Sequence, residues 1–227
     1  MVDPKNRLVH SLSQPVVMKR AAVAALFTVA ACYPRLALWQ DRPRAVGFLA
    51  VLLGLMSFVM WAFVLAWIPE HARTTLVPRR LDGRLWALAT AAGLAGSGLL
   101  WGAFDPSLRH LLPQDYPTTR MAWVAATLFH VTFVQLFLNF APLAFFVRLF
   151  GDRLVAAALT VLFGLFLLLV QVNAAEVELS GWLVAGMIAV RILFGAVGMY
   201  LLLRGGLLPV WWSALLIQSR LVFGLDG

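Results

Sequence analysis

Carboxylates are missing from every apolar stretch of this chain. Ten Asp and Glu residues occur among 227, yet none lies in the hydrophobic runs that repeat from about Ala21 to Phe223. Only 12% of the residues are charged, where a soluble domain carries about a quarter, so a soluble globular fold is excluded. The single cysteine, Cys32, cannot form an internal disulfide, and the redox compartment is not legible from it. Four histidines are scattered along the chain without an H-E-x-x-H pair, so no metal site is expected. No glycine loop resembles a phosphate cradle, and a Ser/His/Asp triad would lack its acid inside a membrane. No cofactor is expected. The first apolar run starts only after Lys19-Arg20 and no small-residue cleavage site follows it, which argues against a removable signal peptide.

What is present is hydrophobic: 62% of the residues. The runs fall into seven segments, at 18–38, 46–68, 84–104, 121–147, 153–172, 180–203 and 207–223. Each is near the ~20 residues that cross a bilayer as a helix. The expected fold is all-α, a polytopic transmembrane helical bundle of six to seven spans. The expected organisation is an N-terminal cytoplasmic or interfacial segment over 1–20 and one transmembrane domain over 21–227. Pro34 and Arg35 interrupt segment 1, which could be tilted or half-inserted; six spans would then remain. Before it, Leu8, Val9, Leu12 and Val16 recur at helical spacing beside Lys5 and Arg7. That pattern fits an interfacial amphipathic helix, with an unstructured terminus as the alternative. Trp39, Trp67, Trp101, Trp182 and the Trp211-Trp212 pair lie near segment ends, where indole favours the interface. Segment 3 is rich in small residues from Ala91 to Gly98, which lets another helix approach closely or leaves a groove for lipid or substrate.

The formal charge of +8 comes mostly from sixteen arginines. On a membrane protein such an excess faces anionic lipid at the cytoplasmic surface, so the bilayer is the expected partner and nucleic acid is not. The 69–83 loop carries Arg73, Arg79 and Arg80. The 148–152 loop carries Arg148 beside Arg153, and the 204–206 turn carries Arg204. These alternate with the nearly balanced 105–120 loop and the 173–179 loop, which holds Glu176 and Glu178. The alternation puts the N-terminus inside; Arg42 and Arg44 run against it. The expected location is a cell membrane, as a multi-pass protein of the bacterial inner membrane.

Buried polar chemistry has few sources: His130, Thr132, Gln135, Asn139, Arg191 and Gln218. At about 100° per residue, Thr132, Gln135 and Asn139 fall on one helical stripe, and His130 points nearly opposite Asn139. An unsatisfied amide in hydrocarbon costs several kcal/mol, so the stripe should face protein or water. It either fixes packing or lines a pocket. Pro142 removes a backbone donor and is expected to bend or end this helix. Arg191 lies near the middle of segment 6, where a charge costs at least about 2.5–3.5 kcal/mol. It cannot shed its proton, so it should point inward. Its candidate partners are Gln135 and Asn139, carbonyls freed near Pro142, Glu176 or Glu178 folding back, an anionic lipid, or another subunit's carboxylate. Gln171, Asn173, Glu176 and Glu178 cluster at an outer rim, where solvation accounts for them.

From about residue 125 to 223 the order of features resembles the CPBP family of intramembrane glutamyl endopeptidases, which includes CAAX-prenyl proteases and bacteriocin-processing relatives. Val134-Gln135-Leu-Phe-Leu-Asn139 stands where the family's E-E-x-x-x-R would be, and a basic stretch ending at Arg153 follows. Phe163-Gly-Leu-Phe-Leu167 stands at F-x-x-x-H. Leu203-Arg-Gly-Gly-Leu-Leu-Pro209 resembles the family's turn, with Ala214 and Gln218 at its H-x-x-x-N/D. The resemblance implies a family cavity without its catalytic groups. Gln135 cannot take a proton from water as a glutamate does, and Leu167 and Ala214 carry no imidazole. No catalytic residue is therefore assigned. Thr132, Gln135, Asn139, Arg191 and Gln218 are the candidate binding residues of a degenerate cavity.

Four functions remain open. The first is a non-catalytic, CPBP-like pseudoprotease scaffold holding a partner or lipid. The second, overlapping it, is an accessory subunit that needs an obligate membrane-protein partner. The third is a membrane enzyme with another site, such as Asp105, Arg109, His110, Asp115 and Tyr116. The fourth is a transporter component with an Arg-lined anion path, which the lack of a visible inverted repeat disfavours. The topology can be checked directly. A cysteine introduced at position 150, with Cys32 replaced by serine, should escape an impermeant maleimide in intact cells. Labelling from outside would invert the orientation.

Overall fold

Hydrocarbon cannot hydrogen-bond a backbone, so an apolar segment of this length satisfies its own N–H and C=O groups as a helix. The computed structural model describes residues 12, 14–39, 43–72, 82–113, 116–174 and 179–225. Among them there are helices and no strand. Seven helices are long and apolar enough to cross a membrane. They are α1 (Pro15–Trp39) and α2 (Pro43–Ala72), α3 (Gly83–Leu111) and α4 (Arg120–Phe150), α5 (Arg153–Ala174) and α6 (Gly181–Gly205), and α7 (Leu207–Gly224). The chain is an all-α polytopic bundle. Segment 1 is one continuous helix through Pro34 and is long and apolar enough to cross a membrane. Leu8 and Val9 lie outside the described residues, and Leu12 packs against the core.

The outer surface is apolar. Phe27, Phe48, Leu55, Leu154 and Phe166 are exposed, as are many other large hydrophobic side chains. A surface of this kind on one chain marks contact with lipid. The core forms instead around aromatic residues. Trp61 of α2, Phe140 of α4 and Trp211 of α7 meet edge to face or tilted, with ring centroids 6.2–6.4 Å apart. Trp61 donates its indole N–H to Thr28 Oγ1 of α1 at 3.0 Å, and Thr28 donates in turn to the Ala24 carbonyl. Two of the tryptophans near segment ends face protein. Trp211 belongs to this core cluster, and Trp67 is buried and stacked on Phe63. Both sit close to segment ends in sequence, but the faces they occupy are turned toward neighbouring helices. Trp101 and Trp182 are exposed, as expected. Trp212 is also exposed and donates to Thr90 of α3 at 2.9 Å. The side chain of Trp39 lies outside the described residues.

Pro142 neither ends nor breaks α4. The helix runs through it because the preceding turns widen: His130–Val134 and Leu136–Phe140 are π-helical. A proline ring collides with the carbonyl four residues back, here Leu138, and leaves it without a donor. Widening the turn moves that carbonyl aside. The same solution recurs in α3, where the π-helical stretch Leu100–Phe104 comes just before Pro106. It carries α3 beyond its expected end, and Asp105 becomes a buried residue of the helix rather than of a loop.

Of the two readings of segment 3, close packing is the one the structure supports. A Cβ added at Gly93 would lie 2.7 Å from Leu216 Cβ of α7. One at Gly96 would lie 2.9 Å from the Phe194 ring of α6 and 3.1 Å from Ile217. These glycines hold α3 against α6 and α7. Gly96→Val should cost about 1–3 kcal/mol through overpacking, read as a lower midpoint in a detergent thermal melt. Gly98→Ala meets nothing within 4 Å and should leave the midpoint within a degree or two.

Candidate functional site

Between α3, α4, α6 and α7 lies a cavity of about 210 Å³. Small residues leave the space: Ala92, Gly195, Gly198, Ser213 and Ala214 all line it, and nothing stands within 4 Å of a Cβ built on Gly198. The polar lining consists of His130, Gln135, Asn139, Arg191, Ser213, Gln218 and Arg220. Four of the five expected binding residues therefore meet at one place: Gln135, Asn139, Arg191 and Gln218.

Thr132 does not join them. It donates to the Leu128 carbonyl and lies 3.4 Å from Cys32 Sγ of α1. His130, expected on the far side of the helix, lines the cavity instead. The π turns explain both reversals. An i→i+5 pattern advances roughly 82° per residue rather than 100°. Over the nine steps from His130 to Asn139 the two faces then differ by roughly 18° instead of about 180°. Over the three steps from Thr132 to Gln135 the separation widens from about 60° to roughly 114°. Asn139 donates its amide to Gln135 Oε1, which leaves the Gln135 amide protons facing the cavity.

Arg191 faces the interior as expected, but its partner is not the Gln135/Asn139 pair. Among the described residues its guanidinium has no hydrogen bond or ion pair. It rests over Gly164 of α5, where an added Cβ would run into the guanidinium. Glycine at 164 is what lets a large planar head group pass between α5 and α6. Beyond it is a second chamber of about 280 Å³, whose lining includes Phe133, Phe137, Leu167 and Leu168, and Arg191 lines both spaces. Glu176 and Glu178 lie outside the described residues.

Arg220 was absent from the expected set, although it lies inside segment 7. Its Nε donates to Asp105 Oδ2 at 3.0 Å, and its Nη1 donates to the Ile217 carbonyl. Asp105 Oδ1 accepts the Tyr116 hydroxyl at 2.9 Å. Arg109 stacks 5.0 Å from the centre of the Tyr116 ring and packs over Gly224. Burial first, then the hydrogen bond and charge of Asp105, push the Tyr116 phenol well above its ordinary range, so it stays a donor at neutral pH. Asp105, Arg109 and Tyr116, considered above as an alternative enzymatic site, are thus joined to Arg220 as a cap at one end of the cavity. His110 is exposed apart from them, and Asp115 lies outside the described residues. The signal that could have found Arg220 was its position two residues after Gln218 in an apolar run.

The electrostatics are therefore unequal. Asp105 balances Arg220, while Arg191 meets no carboxylate among the described residues. Nor do the described residues contain a His, Cys, Asp and Glu cluster able to hold a metal. No family model, curated protein or solved structure matches this chain.

Removing one member of a buried ion pair costs about 3–5 kcal/mol, because the other charge is stranded. Asp105→Leu should accordingly lower the melting midpoint sharply. The double variant Asp105→Leu/Arg220→Met should recover most of the loss. A double variant no better than the single one would show that the pair is not the source of the effect.

Proposed function

We propose that this protein is a non-catalytic integral membrane scaffold, a degenerate CPBP-like bundle or accessory subunit that holds a partner or lipid in its central cavity. The observation that carries this reading is the cavity itself: amide-lined, cationic and, among the described residues, without a carboxylate opposite Arg191. The resemblance to the CPBP family adds support. Gln135 and Asn139, at the family's glutamate and arginine positions, share this cavity with Ala214 and Gln218. Leu167, at the first histidine position, lines the adjoining chamber, with Arg191 between them. On this reading the family's positions would be kept without its catalytic chemistry. Water here meets no carboxylate base at Gln135 and no imidazole at Leu167 or Ala214, so peptide hydrolysis by the family's route has no proton acceptor.

Arg191 and Arg220 both line the cavity, and this favours a second reading, an anion path in a transporter. The Asp105–Arg220–Tyr116 network works against it by tying up the Arg220 charge. In either case the chain belongs to a bacterial inner membrane, with the 148–152 and 204–206 connections toward the cytoplasm.

Mild solubilisation followed by native mass spectrometry tests the scaffold reading. A polypeptide or lipid should be retained at fixed stoichiometry and lost in Gly198→Leu, which puts a side chain into the cavity at a position where an added Cβ meets no neighbour. Prenylated and transmembrane peptide substrates should remain uncut. An empty monomer, or cleavage abolished by Gln135→Ala, would overturn the proposal.

A further inference from the structure

Arg191 has a charge, a direction and, among the described residues, no hydrogen-bond acceptor. Its depth is set by α6: ten residues separate it from Gly181, a rise of about 15 Å. It lies too deep for the guanidinium to reach the interface easily. Polar cavity and apolar chamber meet at this one side chain. The chamber walls come from Phe129, Phe133 and Phe137 of α4 and from Leu167 and Leu168 of α5, with Gln171 at its far end. Phe133 and Phe137 stack, and Phe137 meets Phe163 of α5 edge to face at 6.0 Å. The result is a greasy slot running from the guanidinium along the α4–α5 seam.

We infer that Arg191 is the head-group receptor for a single-chain anionic amphiphile, with its oxyanion on the guanidinium and its apolar chain in the α4–α5 slot. This rests on the reading of the bundle as a holding scaffold and names the class of molecule held. Three observations select that class. The guanidinium fork matches a carboxylate or phosphate oxygen pair, and among the described residues no carboxylate balances its charge. The slot is lined by aromatic and aliphatic groups, which a free inorganic anion would gain nothing from. Its size suits one chain rather than two: the chamber is about 280 Å³, and Gly164 provides the room at the head-group end. Gln135 and Gln218, facing the same cavity, can donate amide protons to the oxygen that the guanidinium leaves open.

The test uses the full chain in a neutral maltoside detergent and displacement of a fluorescent fatty acid. Laurate and dodecyl phosphate should displace it at concentrations at least tenfold lower than dodecanol does. Inorganic phosphate alone should not compete. Arg191→Gln should remove the preference for the charged amphiphiles. Leu168→Trp, which narrows the slot and leaves Arg191 in place, should weaken both charged amphiphiles at least fivefold. It keeps the test decisive should Arg191→Gln fail to fold. Equal displacement by dodecanol, full competition by inorganic phosphate, or a preference that survives in Arg191→Gln would overturn the inference. So would binding unaffected by Leu168→Trp. Failure here with a polypeptide still copurifying would leave the scaffold reading intact. An empty monomer that also binds no laurate would remove both.

Discussion

Hydrocarbon offers no partner to a polar group, so each one inside the bundle has to find its partner in protein. Most of the architecture follows from that search. Thr28 accepts from Trp61 and so joins α1 to α2. Cys32 and Thr132 join α1 to α4. Trp123 donates to the Gln218 carbonyl and joins α4 to α7. Arg220, Asp105 and Tyr116 close the end where α3 and α7 meet. The buried Ser57, Thr127 and Trp211 groups that lack a partner are all neutral, and a neutral donor left unpaired costs far less than a charge. Among the described residues Arg191 is a charge that this internal accounting leaves open, and it lines the cavity.

Two prolines do more for the site than their number suggests. Pro106 and Pro142 each sit within a span that could not tolerate a broken helix, and each is preceded by a widened turn. In α3 the effect is to extend the helix and bury Asp105 against Arg220. In α4 it re-aims a whole row of side chains, bringing His130 beside Gln135 and Asn139 and sending Thr132 to Cys32. Without the π turns the polar groups of α4 would be divided between opposite faces, and no single lining would form.

Glycine has two distinct uses around the site. At Gly93, Gly96 and Gly164 it allows contact, since a Cβ there would collide with a neighbouring helix or with the Arg191 head group. At Gly198 it leaves space, because no neighbour fills the position. Elsewhere the Trp61–Phe140–Trp211 cluster fills the space between α2, α4 and α7.

The span count, the span boundaries to within a few residues, and the inward direction of Arg191 were legible in the chain, because hydropathy and the cost of a mid-span charge are properties of local sequence. So was the gathering of Gln135, Asn139, Arg191 and Gln218 as the scarce polar groups. The helical wheel failed where winding changed: Thr132 and His130 exchanged faces because a π turn alters the angle per residue, and a wheel assumes that angle. Asp105 and Arg220 were missed as a pair because they lie 115 residues apart and neither is informative alone. Sequence by itself determined that this protein is a membrane bundle with an arginine that must be housed. Tertiary structure alone decided which polar side chains share a cavity, because that depends on the rotation of each helix about its axis and on which neighbour lacks a Cβ to stand in the way.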